Sequence, residues 1–128
     1  MLPLTMHIAE KVHAYTRRYG PQQHPSTRVK DLVDLVLLAT TTGFQAGELR
    51  SALDRVFAGR ANHGMPAAFP TPPSTWDAPY ARLAGPLIIP TDPHDAHQIV
   101  AALLDPILGR AVGDDARWEP SLRTWAAT

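Results

Sequence analysis

The chain has 128 residues, 45% of them hydrophobic, with twelve basic against twelve acidic side chains and no cysteine. That size and apolar content suit one hydrophobic core and exclude a largely disordered chain, while zero net charge argues against a free-standing nucleic-acid binder. Disulfides and thiolate-bound zinc are excluded, and with no run of about 18 apolar residues and no charged-then-apolar opening segment, a cytoplasmic protein without membrane contact is expected.

The elements follow in chain order. Leu2-Pro3-Leu4-Thr5 reads as an extended lead-in, with Thr5 the N-cap of a first helix over about residues 6–19. Ile8, Val12, Tyr15 and Tyr19 fall at i, i+4, i+7 and i+11, one helical face. Gly20-Pro21 stops this helix, with Arg17 and Arg18 suited to its last turn. Residues 21–27 form a loop in which Pro25 bars helix, and Ser26 or Thr27 caps a second helix over 28–41. Its centre, from Leu32 to Ala39, is apolar nearly all round, so it belongs in the middle of the core.

Gly43 breaks the second helix, and a third is expected over 46–58, burying Leu49, Leu53, Val56 and Phe57 with Arg50, Asp54 and Arg55 outward. Eight of the thirteen prolines then fall between Pro66 and Pro93. Within that stretch Ser74-Thr75-Trp76-Asp77 resembles a capping box for a short helix over 75–84, and Leu87-Ile88-Ile89 is a brief apolar run suited to extended chain. Asp92-Pro93-His94-Asp95 supplies an N-cap, a proline at N1 and an acid at N3 for a last helix over 93–109. That helix carries Ile99, Val100, Leu103, Leu104 and Ile107, with a kink or end near Pro106. Gly113-Asp114-Asp115 reads as a turn, and Trp118 and Trp125 as apolar anchors in the tail. The fold class is mainly α: a helical bundle with a proline-rich irregular segment.

Only two lysines occur against ten arginines, and each adjoins a carboxylate: Glu10-Lys11, and Arg28-Val29-Lys30-Asp31. Lys11 shares a helical stripe with His7 at the margin of the apolar face, where its stem can pack while its head reaches a cleft. A solvated strip with Glu10, His13 and Arg17 accounts for it as simply. Asp31 and Asp34 lie i, i+3 on one face, and Asp34 interrupts an apolar run. An ionised carboxylate there is expensive unless paired or bound to a cation. Arg28, Lys30 or the distant Lys11 could be that partner, fixing the packing of the first two helices. Alternatively, carboxylate and lysine together face a phosphorylated ligand or its metal. Spacing does not separate these readings.

Other chemistries find less support. His94 and His97 share a face without a third ligand, so no metal site is expected. Ser26, Ser51, Ser74 and Ser121 lack a nucleophile-elbow setting, and Gly43 and Gly47 lack the Lys-Ser/Thr of a phosphate loop.

Taken together, Ile8-Ala9-Glu10-Lys11-Val12-His13-Ala14 and Ser26-Thr27-Arg28-Val29-Lys30-Asp31-Leu32-Val33-Asp34-Leu35 resemble a motif pair of the AbiEii/AbiGii-type nucleotidyltransferase toxins of abortive infection and type IV toxin–antitoxin systems. Val56-Phe57-Ala58-Gly59-Arg60 and Pro72-Pro73-Ser74-Thr75-Trp76 fit the same picture, and the resemblance covers residues 3 to about 84. It implies a polymerase-β-like nucleotidyltransferase using a nucleoside triphosphate with Mg2+, a cognate antitoxin and, as in some members, a transfer RNA acceptor. Lys11 would then contact nucleotide phosphates, Asp31 would complete the catalytic cluster, and Asp34 would support it. Glu10, Arg28 and Lys30 are second choices, since ion pairing explains them equally.

The family's metal-binding carboxylates sit on an N-terminal α/β core, in a Gly-Ser or Gly-Gly turn followed by Asp-x-Asp. No such pattern occurs in this sequence. The expectation is therefore a C-terminal helical part (residues 1–128) of a truncated, split or mis-started transferase. Met1 stands almost on the first motif. Such a chain would be inactive until an N-terminal core is supplied. The alternatives are a helical interaction module or a degenerate fragment without catalysis.

Overall fold

The computed structural model describes residues 4–16, 25–59, 66–72 and 74–126. Its helices are α1 (Leu4–Thr16), α2 (Pro25–Thr41), α3 (Ala46–Gly59), α4 (Asp77–Ala84) and α5 (Pro93–Leu108), followed by strands β1 (Arg117–Glu119) and β2 (Thr124–Ala126). A single 3-10 turn, Ser74–Trp76, leads into α4. The architecture is mainly α, with one small antiparallel hairpin.

The apolar stripes do what their spacing predicts. Ile8, Val12 and Tyr15 are fully buried on α1, and Leu49, Leu53, Val56 and Phe57 are buried on α3. On α5 the buried set includes Ile99, Val100, Leu103, Leu104 and Ile107. Helix α2 packs against α1, α4 and α5, the central position its all-round apolar middle requires.

Helix ends differ from expectation. Thr5 lies within the first turn of α1 and is buried, so it does not cap it. The continuation to Tyr19, the Gly20-Pro21 stop, and Arg17 and Arg18 lie outside the described residues. Pro25 opens α2 where a loop was expected; in a first turn its missing N–H removes no intrahelical bond. Ser26 and Thr27 thus fall inside the helix. At α5 the start is as read: Asp92 Oδ1 accepts from the His94 N–H at 2.8 Å, with Pro93 following. Pro106 does not end the helix, which runs on to Leu108.

The proline-rich stretch is fastened by aromatic side chains. Phe69 stacks on Tyr15 with ring centroids 4.3 Å apart, and the Tyr15 hydroxyl donates to Pro70 O at 2.8 Å. The Phe69 N–H donates to Asp105 Oδ1 at 2.7 Å, tying the segment to α5. Leu87-Ile88-Ile89 forms bends, not extended chain, and the Tyr80 hydroxyl donates to Pro90 O at 2.9 Å. Burial, aided by the negative charge of Asp92, pushes the Tyr80 phenol up to about 12.

The hairpin was not foreseen. Trp118 pairs opposite Trp125, and their indoles meet edge to face at 5.6 Å. Each indole also finds a carbonyl: Trp118 Nε1 donates to Ala39 O at 2.7 Å and Trp125 Nε1 to Leu103 O at 2.9 Å. Just before β1 the chain caps α3. The N–H groups of Ala46 and Gly47, unsatisfied within any helix, donate to Ala116 O at 2.8 Å and Asp114 O at 3.0 Å. A Cβ on Gly47 would meet Asp114 Cβ at 3.0 Å, so a larger residue would need the 114–116 loop to give by a few tenths of an ångström. Arg50, expected to point outward, folds onto the same loop, pairing with Asp114 and donating to Val112 O at 2.8 Å.

Candidate functional site

Two helical stripes face each other along the α1–α2 seam. On α1, Leu4, His7 and Lys11 follow at three- and four-residue steps; on α2, Asp31, Asp34, Leu37 and Leu38 do the same. The seam is flanked by the buried Ile8, Val12, Leu32 and Leu35, which bring the two backbones together. Charged residues at its margin therefore meet across it.

Lys11 Nζ lies 2.8 Å from Asp34 Oδ2 and 3.8 Å from Asp31 Oδ1. Lys30 Nζ donates to the same Asp34 Oδ2 at 3.0 Å, one turn back on α2. The side chains of Lys11, Asp31 and Asp34 are 29%, 13% and 22% exposed, whereas Lys30 is 67% exposed. Lys11 is thus half-enclosed between two carboxylates, and Lys30 reaches in from solvent. Burial alone would push the Asp34 carboxyl up, but hydrogen bonds and charge from Lys11 and Lys30 outweigh it and hold Asp34 below its ordinary value of 3.8. At neutral pH Asp34 is therefore ionised.

A depression of about 280 Å³ opens beside the pair, lined by Leu4, His7, Lys11, Asp34, Leu37 and Leu38. Three of its six lining residues are leucines. Leu4 is 47% exposed, and Leu37 and Leu38 are only partly buried. The sequence reading placed His7 on the Lys11 stripe without a role and counted Leu37 and Leu38 as core. The i+3 and i+4 steps from Asp34 were the available signal that both leucines belong to the seam.

The remaining candidates are less central. Glu10 sits on the adjoining strip of α1, and the side chain of Arg28 lies outside the described residues. His97 shares its Nε2 with Phe69 O at 2.9 Å and stacks on the Phe69 ring, a fastening role. Among the described residues no group of three or more His, Asp or Glu side chains is arranged to hold a metal ion. Asp31 and Asp34 alone, with lysine beside both, do not fit a resident Mg2+.

A mainly α protein with a lysine held between two carboxylates at a helix seam is a candidate for handling phosphate esters, whose charge a lysine neutralises. The chain belongs to the nucleotidyl transferase AbiEii toxin family of type IV toxin–antitoxin systems, whose family model matches residues 1–124. Membership implies a nucleoside triphosphate as donor and a cognate antitoxin as partner. No curated protein and no solved structure matches the chain. No described helix is long and apolar enough to cross a membrane.

Proposed function

We propose that this chain contributes a phosphate-holding lysine, Lys11, and the carboxylates Asp31 and Asp34 to nucleotidyl transfer from a nucleoside triphosphate. The observation that carries the reading is the clasp of Lys11 between Asp31 and Asp34 across α1 and α2. Transfer of a nucleotidyl group rests on positioning and charge neutralisation. Lys11, placed between two anions at the helix seam, is positioned to meet incoming phosphate. Asp31, the less exposed carboxylate, adds to the catalytic cluster, and Asp34 positions Lys11. Lys30 serves as second cation on Asp34.

The sequence holds no Asp-x-Asp, so the metal-binding carboxylates come from a nucleotidyltransferase core outside these residues. Under this reading residues 1–128 form the C-terminal helical part, inactive alone, and RNA such as transfer RNA is the acceptor. The test supplies the Asp-x-Asp polypeptide in trans with labelled nucleoside triphosphates and total RNA. Label should reach RNA only when both polypeptides are present, and Lys11→Met or Asp31→Asn should abolish transfer. Unchanged transfer with Lys11→Met would refute the assignment.

A second reading, a helical interaction module without catalysis, draws on the fully exposed Ile88 beside the exposed Leu83 and Leu87. It predicts no nucleotide binding and a protein partner lost on Ile88→Ser.

A further inference from the structure

A second depression, of about 390 Å³, shares no lining residue with the one at the α1–α2 seam. Its lining includes Asp95, Ile99 and Ala102, at four- and three-residue steps along α5, together with Pro90 and Arg123. Asp95 and Arg123 thus border the same opening, yet their side chains form no ion pair or hydrogen bond with each other or with any described residue. The backbone around them is held. The Tyr80 hydroxyl bonds Pro90 O at 2.9 Å, and the Arg123 N–H donates to Glu119 O at 2.7 Å. Arg123 has φ 55°, in the left-handed region where glycine or asparagine is the cheaper residue, so the turn itself does not call for arginine.

Exposed apolar side chains flank the opening along the chain. Leu87 and the fully exposed Ile88 precede Pro90 by three and two residues, and Leu122, 72% exposed, precedes Arg123. An unpaired acid and an unpaired cation in one patch make that patch complementary to itself. In a twofold dimer residue i meets j and j meets i, so each Asp95 would face the partner's Arg123 and each Arg123 the partner's Asp95. Exposed ion pairs add little affinity and mainly set register, while burial of leucine and isoleucine supplies the drive.

We propose that this patch is a homodimer interface: a second copy of the chain packs across a twofold axis, Leu87, Ile88 and Leu122 bury one another, and two Asp95–Arg123 pairs fix the register. Such a dimer does not depend on the chemistry at the α1–α2 seam, and it commits the exposed Ile88 to a second copy of the chain in place of another protein.

Sedimentation equilibrium of the whole chain tests it, with circular dichroism to check that each variant keeps its fold. The wild type should show a concentration-dependent monomer–dimer equilibrium. Ile88→Ser, at a fully exposed position where folding is not at risk, should weaken association at least tenfold. Asp95→Arg and Arg123→Asp should each do the same, since each sets like charges opposite one another twice per dimer. Mixed in equal amounts, those two single variants should dimerise again, because every pair then joins opposite charges. Both substitutions in one chain should restore association too. A wild-type chain that stays monomeric at about 1 mM overturns the proposal and leaves the patch to another partner. A dimer untouched by Ile88→Ser, or charge variants that fail to rescue each other, overturns it as well.

Discussion

Two regions of the molecule, the hairpin and the α1–α2 seam, treat polar groups in opposite ways. Where the hairpin meets α2 and α5, every indole N–H has a backbone carbonyl, the first N–H groups of α3 are capped by the 114–116 loop, and Trp118 is 1% exposed. At the α1–α2 seam the charged groups are partly exposed and pair with one another beside an open groove. Saturated neutral partners buried from water hold a structure still. Exchangeable ion pairs at the edge of water contribute little to stability and can accept a new partner. On the proposed reading the hairpin is built to be fixed, and the seam to be used.

The sharpest way to break that comparison is to remove the hairpin's anchor. Trp118→Ala would delete a buried indole, its bond to Ala39 O and its contact with Trp125. The loss should be about 3–5 kcal/mol, enough to leave a marginal domain partly unfolded. Urea denaturation followed by fluorescence of the remaining tryptophans measures it. A loss comparable to that of a seam variant would erase the distinction between the two regions.

Next in size comes Lys11→Met, and here the effects should separate. Stability should change by no more than about 1 kcal/mol, the range for partly exposed pairs. Binding of a nucleoside triphosphate should fall at least tenfold, since a charge-assisted bond is worth about 1.5–3 kcal/mol. Parallel denaturation and calorimetry decide it. A large stability loss with binding unchanged would make the seam a packing device.

How much of this was legible beforehand depends on whether the determinants were local. The faces of α1, α3 and α5 were, because apolar spacing within one helix sets which side is buried; so was the Asp92-Pro93 start of α5. The start of α2 was misplaced because proline was read as a breaker, though in a first turn it costs no hydrogen bond. The hairpin was missed because Arg117-Trp118-Glu119 and Thr124-Trp125-Ala126 are three residues each, too short for an alternating pattern, and their pairing is set by contacts with Phe44, Ala39 and Leu103 far away in sequence. Arg50 was assigned outward because its partner, Asp114, lies 64 residues on. In the candidate site, Lys11, Asp31 and Asp34 were named from motif and spacing, and Asp34 stood out as a carboxylate in an apolar run. The groove beside them was not legible, since it exists only where two stripes from separate helices meet.

Acid titration sharpens the comparison further. The folded state holds Asp34 below its ordinary value of 3.8. A depressed carboxyl contributes stability that is fully present above the unfolded value and is lost as pH falls through the folded one. The wild-type chain should therefore lose stability on acidification from about pH 4 downward, and Asp34→Asn should show a shallower fall over that window. Near-neutral stabilities should differ little, because the residue is partly solvent-screened. The same slope in both proteins would mean that Asp34 is not held by its lysines.

The smallest effect expected is at Lys30. Its side chain is 67% exposed, and its ammonium bonds Asp34 from one turn earlier on the same helix. Lysine N-terminal to the acid is the weaker order for such a pair, so Lys30→Met should cost no more than about 0.3 kcal/mol. The consequence to look for is in binding. When Lys11 turns toward a phosphate, Lys30 becomes the cation that keeps Asp34 ionised. In Lys30→Met, Lys11 would be the sole cation on that carboxylate and would leave it less readily. Nucleotide affinity should thus fall by about twofold to threefold, of the order one exposed pair supplies, with the difference shrinking at high salt as exposed charges are screened. Thermal melts and calorimetry at low and high salt would show it. Tighter binding in Lys30→Met would mean that the two lysines compete for Asp34 and do not share it.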